Sequence, residues 1–526
     1  MSAHAQPVVV AGAGPVGLSA ALLLARWGVP TVVLEATVAR DEVGSKAICM
    51  QRDVLDVFAR IGVAEELVAG GVTWHVGRTY FRDVELFETT FPDPGRSAFP
   101  PWVNVPQSTT EQLLWKRVGA EPLVDVRVGH EVVGVSTSAD GVSVAARTAA
   151  GDVRVDGSHL VAADGSRSAV RRLLELPFEG HSFDDRFLIA DIRARLPFGA
   201  ERRFYFDPPW NPGRQVLVHP QPDSVWRIDW QVPGDYDLED DRESGGLDAR
   251  IRRIVGADAP YDLVWVSVYR FHQRAAPSFA RDRVFLVGDA AHLMSPFGAR
   301  GLNSGMQDAE NLAWKLAFVR HGWAPESLLS SYDAERRAAA SENLRVTGET
   351  MQFLVPQSEE ERARRTAILE RCLRDASAVE DVDSGKLAEP FCYQDSPLTS
   401  GPATADGRAV VPGALCPDGP VLVRQRPEVR QLRELFGSGF VLLAVDGDLG
   451  ALAGAARSAT GAPVEVFDLE DLDVEGVLVP ALGARPMTAV LVRPDGHVAA
   501  VVAADAPGDL TAAVRRACGG DAAEAS

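Results

Sequence analysis

The sequence predicts a protein of mixed α/β and α+β class, in which a first α/β domain is interrupted by a mostly antiparallel sheet and a small second α/β domain follows. Three observations predict this architecture. The first 36 residues show the pattern of a strand, a Gly-rich turn, a buried helix and a second strand. From about Phe178 to Arg274 the chain changes to short strands rich in aromatic residues and Arg, after which a fully apolar strand returns. A linker rich in Pro, Gly and Ser then precedes the last strands and helices.

Composition limits the classes of partner. The chain has 526 residues, of which 46% are hydrophobic and 24% charged, and this balance is typical of a globular protein. The formal net charge of -20 and the pI near 5.0 disfavour nucleic acids and anionic membranes as partners, because both bind clustered Lys and Arg. We therefore expect small-molecule chemistry.

The five cysteines are scattered and form no CxxC pair. This spacing predicts neither a disulfide framework nor a zinc site, so we expect reduced thiols, no metal and a cytoplasmic protein. The apolar N-terminal stretch has no basic region before it and is interrupted by Gly. It predicts a strand, a turn and a helix rather than a signal peptide or a membrane span.

The N-terminal βαβ unit contains a dinucleotide-binding motif. In "VVVAGAGPVGLSAALLLARWG", residues Gly12, Gly14 and Gly17 form G-x-G-x-x-G between strand and helix, and Glu35 ends the next strand. The first Gly allows the tight turn, the second lets a pyrophosphate approach the backbone, and the third allows close packing of helix on strand. Glu35 can accept hydrogen bonds from a ribose. Together these features predict a Rossmann-like domain that binds NAD or FAD.

Two further motifs place a carboxylate beside a Gly at the end of an apolar strand. In "LVAADGSRSAVRR" these residues are Asp164 and Gly165, and in "RVFLVGDAAH" they are Gly288 and Asp289. The carboxyl edge of a parallel sheet is where doubly wound folds bind their ligands. Each motif alone is also compatible with a simple turn.

With these motifs the chain resembles the group A flavoprotein aromatic monooxygenases of the p-hydroxybenzoate hydroxylase fold. The resemblance extends to the long members with a C-terminal thioredoxin-like domain, such as phenol hydroxylase and 3-(3-hydroxyphenyl)propionate hydroxylase. It implies FAD as cofactor, NADH or NADPH as transient co-substrate, and O2. It also implies hydroxylation of a phenolic or other aromatic small molecule through a C4a-hydroperoxyflavin.

The resemblance also implies a set of cofactor-binding residues. Glu35 contacts the adenosine ribose, Asp289 the ribityl chain, and Gln107 the FAD from the start of a helix. Asp164 belongs to a motif implicated in binding both FAD and NAD(P)H. The complete expected set is Gly12, Gly14, Pro15, Gly17, Glu35, Ala36, Lys46, Gln107, Asp164, Asp289, Pro296, Gly301, Leu302 and Asn303.

Residues 288–303, which we call the flavin loop, carry two further expectations. A helix is expected to open at Asn303 to Gly305, with Ser304 and Gln307 as a capping box, so that free N–H groups face the flavin's pyrimidine oxygen. Where many relatives have Gly-Gly-Gln-Gly, this chain has Gly298-Ala299-Arg300-Gly301. An ion pair and a direct ligand contact are both open for Arg300. Lys46 similarly stands where relatives often have Arg.

The aromatic-rich strands supply candidates for the substrate pocket, namely Tyr205, Trp210, His219, Trp226, Arg227, Asp229 and Trp230. Strand alternation puts Arg227 and Asp229 on the face opposite to Trp226 and Trp230, so we expect only one of these sets to face the ligand. The catalytic set proposed from the sequence is Pro296, Phe297, Arg300 and His219. His292 could act as a base, but its place in the motif favours a structural hydrogen bond near FAD.

The expected domains are an FAD-binding domain in two parts, residues 1–177 and 275–395, a substrate-binding sheet over 178–274, and a thioredoxin-like domain over 396–526. That last domain lacks CxxC, so we expect a structural role or support of a homodimer. Alternatives to aromatic hydroxylation are flavin epoxidation or Baeyer-Villiger oxygenation of a polyketide or other natural product. A non-enzymatic FAD-binding protein is a third hypothesis. A flavin halogenase is disfavoured, since "VWRIDW" lacks the Trp-x-Trp-x-Ile-Pro pattern.

Overall fold

The computed structural model describes residues 6–39, 47–385, 387–401 and 410–520. In chain order the strands are β1 (Val8–Ala11), β2 (Thr31–Glu35), β3 (Cys49–Gln51), β4 (Val76–Phe81), β5 (Val84–Thr90), β6 (Trp102–Asn104), β7 (Val124–Val128), β8 (Glu131–Ser138), β9 (Gly141–Thr148), β10 (Gly151–Gly157), β11 (Leu160–Ala162), β12 (Glu179–Ala194), β13 (Arg202–Phe206), β14 (Gln215–Pro220), β15 (Val225–Val232), β16 (Tyr261–Ala275), β17 (Ala280–Arg281), β18 (Val284–Leu286), β19 (His292–Leu293), β20 (Phe440–Val445), β21 (Val464–Asp468), β22 (Thr488–Val492) and β23 (Val498–Ala503).

The α-helices connect and cover these strands. They are α1 (Pro15–Arg26), α2 (Arg52–Arg60), α3 (Ala64–Ala69), α4 (Gln107–Gly119), α5 (Ala169–Leu173), α6 (Leu238–Glu243), α7 (Gly246–Val255), α8 (Arg300–Arg320), α9 (Ser330–Leu354), α10 (Glu359–Cys372), α11 (Leu449–Ala459), α12 (Leu469–Leu472), α13 (Leu478–Leu482) and α14 (Pro507–Ala517).

The first sheet has the strand order β17, β18, β11, β1, β2, β7 and is parallel from β18 to β7. Its central strands are continuous apolar runs because helices cover both faces. The turn from β1 to α1 depends on Gly12, which has φ +98 and whose missing Cβ would lie 2.5 Å from the carbonyl oxygen of Ala163. The predicted Rossmann-like βαβ unit is present.

The inserted sheet has the order β19, β16, β12, β15, β14, β13, β4, β5. Neighbouring strands are antiparallel except for the parallel pair β13 and β4, so the sheet is mostly antiparallel, as predicted. Strands β4 and β5 come from residues 76–90, which the sequence analysis did not assign to this sheet. One face of the sheet packs on α7 through an apolar cluster that includes Trp226 and Trp230. The other face is free to form one wall of a cavity.

The C-terminal unit is a four-stranded sheet with the order β21, β20, β22, β23. Strands β20 and β21 are parallel, while β22 and β23 form the predicted hairpin over Pro494, Asp495 and Gly496. The unit packs on α8, where the rings of Phe318 and Phe440 meet edge to face with centroids 5.7 Å apart. The predicted fold class is confirmed. Among the described residues, no helix is long and apolar enough to cross a membrane.

Candidate active site

One cavity of about 870 Å³ lies where the carboxyl edge of the parallel sheet, the start of α8 and the inserted sheet meet. Gly14 and Pro15 line it from the first βα turn, and Asp289 lines it from the short 3-10 turn that follows β18. The inserted sheet contributes Phe187, Leu217 and other apolar side chains. A cavity at this edge is where doubly wound folds bind their ligands.

The Gly-rich turn forms one end of the cavity. As the motif predicts, one of its glycines leaves space for a ligand and another allows helix and strand to pack closely. Gly14 has open space where a Cβ would stand, whereas a Cβ on Gly17 would collide with the carbonyl oxygen of Gly12. Glu35 closes the turn, because its carboxylate accepts hydrogen bonds from the N–H groups of Ala13 and Thr37, each at 2.8 Å. The next residue, Ala36, continues from this strand end. Lys46 lies outside the described residues.

The flavin loop forms the other end. Pro296, Phe297, Arg300, Gly301 and Leu302 line the cavity. The predicted helix start was wrong. Helix α8 begins at Arg300, three residues before the expected opening, because Ala299 adopts the left-handed conformation (φ 56) and serves as the N-cap residue.

The expected capping box at Ser304 is therefore also wrong. Ser304 is buried in the second turn of α8, and its Oγ accepts a hydrogen bond of 3.1 Å from Nη2 of Arg336. Asn303 is buried beside β3 rather than in the cavity wall. Its Nδ2 donates to the Cys49 carbonyl at 2.9 Å and its Oδ1 accepts from the Gln51 N–H at 3.1 Å.

Gln107 and Asp164 take different positions relative to the cavity. Helix α4 begins at Gln107 as predicted, and the side chain lines the cavity while its Oε1 accepts from the Ala47 N–H at 3.1 Å. Asp164 instead holds the start of α5, where Oδ1 accepts from Ser168 Oγ at 2.5 Å and Oδ2 from the Val170 N–H at 3.0 Å. Its neighbour Gly165 lines the cavity.

His292 and Arg300 differ in their position relative to the cavity. His292 is fully buried, and its Nε2 lies 2.7 Å from Oδ2 of Asp308, which is the structural hydrogen bond expected. Arg300 lines the cavity while its Nη1 donates to Oδ1 of Asn343 at 2.8 Å.

Of the seven substrate-pocket candidates on the inserted sheet, three line the cavity: His219, Arg227 and Asp229. The expected alternation is observed, because Trp226 and Trp230 lie on the opposite face with α7. Tyr205 and Trp210 pack against that same apolar cluster. None of these four aromatic residues lines the cavity, because their large apolar surfaces pack in the core on the other face of the sheet. The candidates Tyr205 and Trp210 are therefore corrected, whereas Trp226 and Trp230 belong to the set that alternation allowed to face away.

The cavity face of the sheet holds a compact polar group. Strand pairing puts His219 opposite Arg227 and Arg203 opposite Val218, and the same register brings Arg202 beside His219. Nε2 of His219 lies 3.8 Å from Oδ2 of Asp229. We call Arg202, His219 and Asp229 the cavity triad. Arg202 was not among the predicted site residues, because its place in the site depends on cross-strand pairing and has no local signal in the sequence.

The cavity triad has fewer hydrogen bonds and ion pairs from the protein than its neighbour Arg227. Arg227 makes a bidentate ion pair with Asp191, with both hydrogen bonds at 2.8 Å, so its charge is neutralised. Arg202 donates to the Ser384 carbonyl at 2.6 Å and forms no ion pair within the described part of the chain. Oδ1 of Asp229 is buried and accepts no hydrogen bond from any described residue.

Burial shifts the protonation of all three groups. Burial raises the pKa of Asp229 to about 7, opposed by Arg227. Burial, with Arg202 and Arg227 nearby, lowers the pKa of His219 well below its ordinary value, so the ring is neutral. Burial also lowers the pKa of Arg202 to about 10, and that side chain is charged at neutral pH. An enclosed cation beside an acid that titrates near neutrality is suited to a ligand with an acidic hydroxyl group.

The two ends of the cavity fit a flavin dinucleotide. The N-termini of α1 and α8 both open on it without an acidic residue in the first turn, and a Cβ at Gly14 or Gly301 would meet open space. Free N–H groups of a helix start suit a pyrophosphate and an anionic ring oxygen. Asp289, between them, offers a carboxylate to sugar hydroxyls.

Comparison with known proteins agrees with this chemistry. A family model described as FAD binding domain matches residues 5–347, and one described as aromatic-ring hydroxylase, C-terminal, matches residues 409–520. The 3-(3-hydroxy-phenyl)propionate/3-hydroxycinnamic acid hydroxylase of Mycobacterium sp. (strain KMS) is 30% identical over 85% of this chain and 76% of its own length. The 6-methylpretetramide 4-monooxygenase of Streptomyces rimosus is 32% identical over 94% of this chain and 90% of its own.

Solved structures show the same similarity over nearly the whole chain. The flavin-dependent monooxygenase PieE, in complex with FAD and substrate, matches with a TM-score of 0.85 and 25% identity, covering 98% of this chain and 99% of its own. A ternary complex of aklavinone-11 hydroxylase with FAD and aklavinone matches with a TM-score of 0.77 and 25% identity, covering 98% of this chain and 100% of its own.

Proposed function

This chain belongs to the family of FAD-dependent aromatic-ring hydroxylases, and from that premise we propose that it hydroxylates a phenolic ring of a hydrophobic, multi-ring substrate. The cavity triad binds the phenolic oxygen. The single observation that supports this best is the buried Asp229 carboxylate, which faces the cavity beside Arg202 and His219 with one oxygen unsatisfied by the described chain.

The residues that would hold FAD are those at the two ends of the cavity. The start of α1 at Gly14 would hold the pyrophosphate, Glu35 the adenosine ribose, Asp289 the ribityl hydroxyls, and the start of α8 at Gly301 the flavin ring. The bound cofactor would supply the redox chemistry with NADH or NADPH and with O2. The protein's own part is to bind the substrate, orient it and exclude water.

The cavity triad prepares the substrate by moving one proton. The O–H bond of the bound phenol breaks, its proton passes to Asp229, and the electron pair stays on the oxygen as phenolate. Arg202 stabilises that negative charge in a poorly solvated site, while neutral His219 holds the oxygen in place by a hydrogen bond. The phenolate ring is richer in electrons than the phenol and accepts electrophilic oxygen more readily.

The apolar wall favours a large substrate. Trp74 and Phe91 line one part of the cavity, and Phe187, Phe271 and Phe297 line another part. Phe297 packs edge to face on Phe187 and Phe271, with ring centroids at 5.8 and 6.2 Å. Such a wall is suited to stacked aromatic rings. Aklavinone-11 hydroxylase and 6-methylpretetramide 4-monooxygenase suggest polycyclic phenols as the class to test first.

A substrate screen tests the proposed function. FAD-loaded protein is given NADPH or NADH with aklavinone-like polycyclic phenols or with single-ring phenols such as 3-(3-hydroxyphenyl)propionate. We expect polycyclic phenols to stimulate reductant oxidation most and to give a product heavier by one oxygen, with NMR showing an intact ring with a new hydroxyl. An expanded or epoxidised ring would favour the oxygenation alternatives. A flavin-loaded protein that no phenol stimulates would contradict the proposal.

We also propose a cytoplasmic location, the domain boundaries given by the sequence analysis, and a homodimer as the assembly to test. The five cysteines are all unpaired, which supports a reducing compartment. Cell fractionation, limited proteolysis and light scattering after size exclusion test these three points in turn. A periplasmic or secreted protein, cleavage within the predicted domains, or a monomer would contradict them.

A further inference from the structure

A second group of buried charges lies outside the cavity, between the C-terminal unit and the flavin loop. Three cations and three anions form it, and all six side chains are almost completely buried. We call it the interdomain ion cluster. Its members are Asp308 and Lys315 of α8, Glu335 and Arg336 of α9, and Arg493 and Asp495 of the hairpin turn between β22 and β23.

At one end the cluster holds the flavin loop. Oδ2 of Asp308 accepts hydrogen bonds from the Gly288 N–H at 2.9 Å and from Nε2 of His292 at 2.7 Å. These two residues flank Asp289, which lines the cavity. Burial alone would raise the pKa of Asp308, but His292 and Arg336 hold it at about 2, so the carboxylate stays charged. Asp308 therefore fixes both sides of the segment that presents Asp289.

At the other end the cluster holds the C-terminal unit. Nη2 of Arg493 donates to Oε2 of Glu335 at 3.0 Å, and Asp495 accepts from Nε1 of Trp314 at 3.2 Å. Lys315 adds a hydrogen bond of 2.7 Å to Glu335. Burial would raise the pKa of Glu335, but Arg493 and Lys315 keep it far below its ordinary value. The hairpin turn is thus an integral partner of α8 and α9.

The two ends meet at consecutive residues of α9. Glu335 binds the hairpin turn, while Nε of the adjacent Arg336 donates to Oδ1 of Asp308 at 2.6 Å. Nη1 of Arg336 also donates to the hydroxyl of Tyr393 at 2.6 Å, and the Tyr393 ring lies beside His497 of the C-terminal unit with centroids 4.5 Å apart. Separating buried charges from their partners costs free energy. A displacement of the hairpin turn is therefore expected to displace Arg336 and Asp308 as well.

We propose that the C-terminal unit sets the affinity for FAD, by positioning the flavin loop through the interdomain ion cluster. Arg493, Asp495 and Tyr393 are then positioning residues that act on Asp289 through Arg336 and Asp308. This gives the unit a function that needs no redox chemistry, in agreement with its lack of a CxxC pair. The inference rests on FAD binding alone and not on the choice of substrate.

The test is FAD titration of the apoprotein, followed by quenching of flavin fluorescence and by the absorption band of the bound flavin. We expect Arg493→Met to raise the Kd for FAD at least tenfold, and Tyr393→Phe, which removes one hydroxyl, to raise it about threefold. Both variants should shift the bound-flavin spectrum. Arg426→Met is the matched control, because the 2.9 Å Arg426–Glu465 pair lies on the surface of the same unit. It should leave Kd and spectrum unchanged.

A lower melting temperature with an unchanged Kd in Arg493→Met would overturn the proposal, since the unit would then only stabilise the fold. If Arg493→Met does not fold, Tyr393→Phe decides, and a Kd equal to that of the parent overturns it. Adding Asp308→Asn to Tyr393→Phe sharpens the result, because residues on one path should show non-additive changes in Kd. Additive changes would count against a common path. No substrate is present, so the outcome is independent of the phenol screen.

Discussion

The interdomain ion cluster and the cavity triad are both buried polar groups, and they differ in how the chain satisfies them. Each carboxylate of the cluster accepts at least three hydrogen bonds, for example Asp308 from Gly288, His292 and Arg336. In the triad, Asp229 has one buried oxygen that accepts no hydrogen bond from a described residue, and Arg202 has no ion-pair partner among the described residues. Buried charges that the chain satisfies hold the fold together, whereas those it leaves open are available to a ligand.

The largest effect expected from this comparison is on stability. Removing Arg336 leaves Asp308 charged and underpaired in a fully buried place, and breaking such a pair costs about 3–5 kcal/mol. We expect Arg336→Met to lower the free energy of unfolding by that amount, measured by chemical denaturation. Arg202→Met should change it by less than about 1 kcal/mol, since a cavity residue without an ion pair has little to lose. Equal losses of unfolding free energy in the two variants would contradict the distinction between the ion cluster and the cavity triad.

The next effect concerns substrate binding. Arg202→Met should raise KM for a phenolic substrate about 100-fold with FAD affinity unchanged, because a hydrogen bond to a charged group is worth about 1.5–3 kcal/mol and the site is poorly solvated. Steady-state NAD(P)H oxidation with product analysis measures it. Arg193→Met, an exposed position on β12 of the same sheet, is the control and should match the parent. A parent-like KM in Arg202→Met would show that Arg202 does not bind the substrate.

A smaller effect is the pH dependence of turnover. Because the carboxylate form of Asp229 accepts the phenol proton and its pKa is about 7, kcat/KM should rise with pH through that value. The groups facing Asp229 are Arg202, His219, Arg227 and, beyond Arg227, Asp191. Asp229→Asn should lower kcat about tenfold and abolish this rise. A parent-like profile in Asp229→Asn would assign the titration to another group.

The smallest effect is on the stability of the parent protein with pH. The folded-state pKa of Asp229 lies above its ordinary value, so the protonated form favours the fold, and that contribution is lost as pH rises through about 7. Asp229→Asn keeps a neutral side chain at every pH. We expect it to melt higher than the parent at pH 8 by a few degrees and by less at pH 5. A stabilisation that does not depend on pH would contradict the raised pKa.

Much of the fold was predictable, since the relevant signals are local. The Gly-rich turn, the apolar strands before Asp164 and Asp289, the helix start at Gln107 and the hairpin turn at Asp495 all lie within short stretches of sequence. The predicted membership of the flavoprotein hydroxylases with FAD as cofactor is confirmed by the family models and relatives.

What escaped prediction depends on long-range contacts or on unusual local conformation. Strands β4 and β5 join a sheet formed mainly by residues more than 80 positions later, and pairing over such distances leaves no local trace. Arg202 enters the site only through its neighbours on β14. The start of α8 was misplaced because Ala299, a residue that rarely adopts positive φ, takes the left-handed conformation usual for Gly.

The protonation of a bound phenol tests the account most directly. An ultraviolet difference titration of the FAD-loaded protein with a polycyclic phenol, without reductant, reports whether the bound ring is phenol or phenolate. We predict that the phenol bound to the parent ionises below the pKa of the free phenol, and that Arg202→Met shifts this ionisation to higher pH, because it removes the cation beside the phenolic oxygen. A bound phenol that ionises at the same pH in the parent and in Arg202→Met would contradict the assignment of the cavity triad.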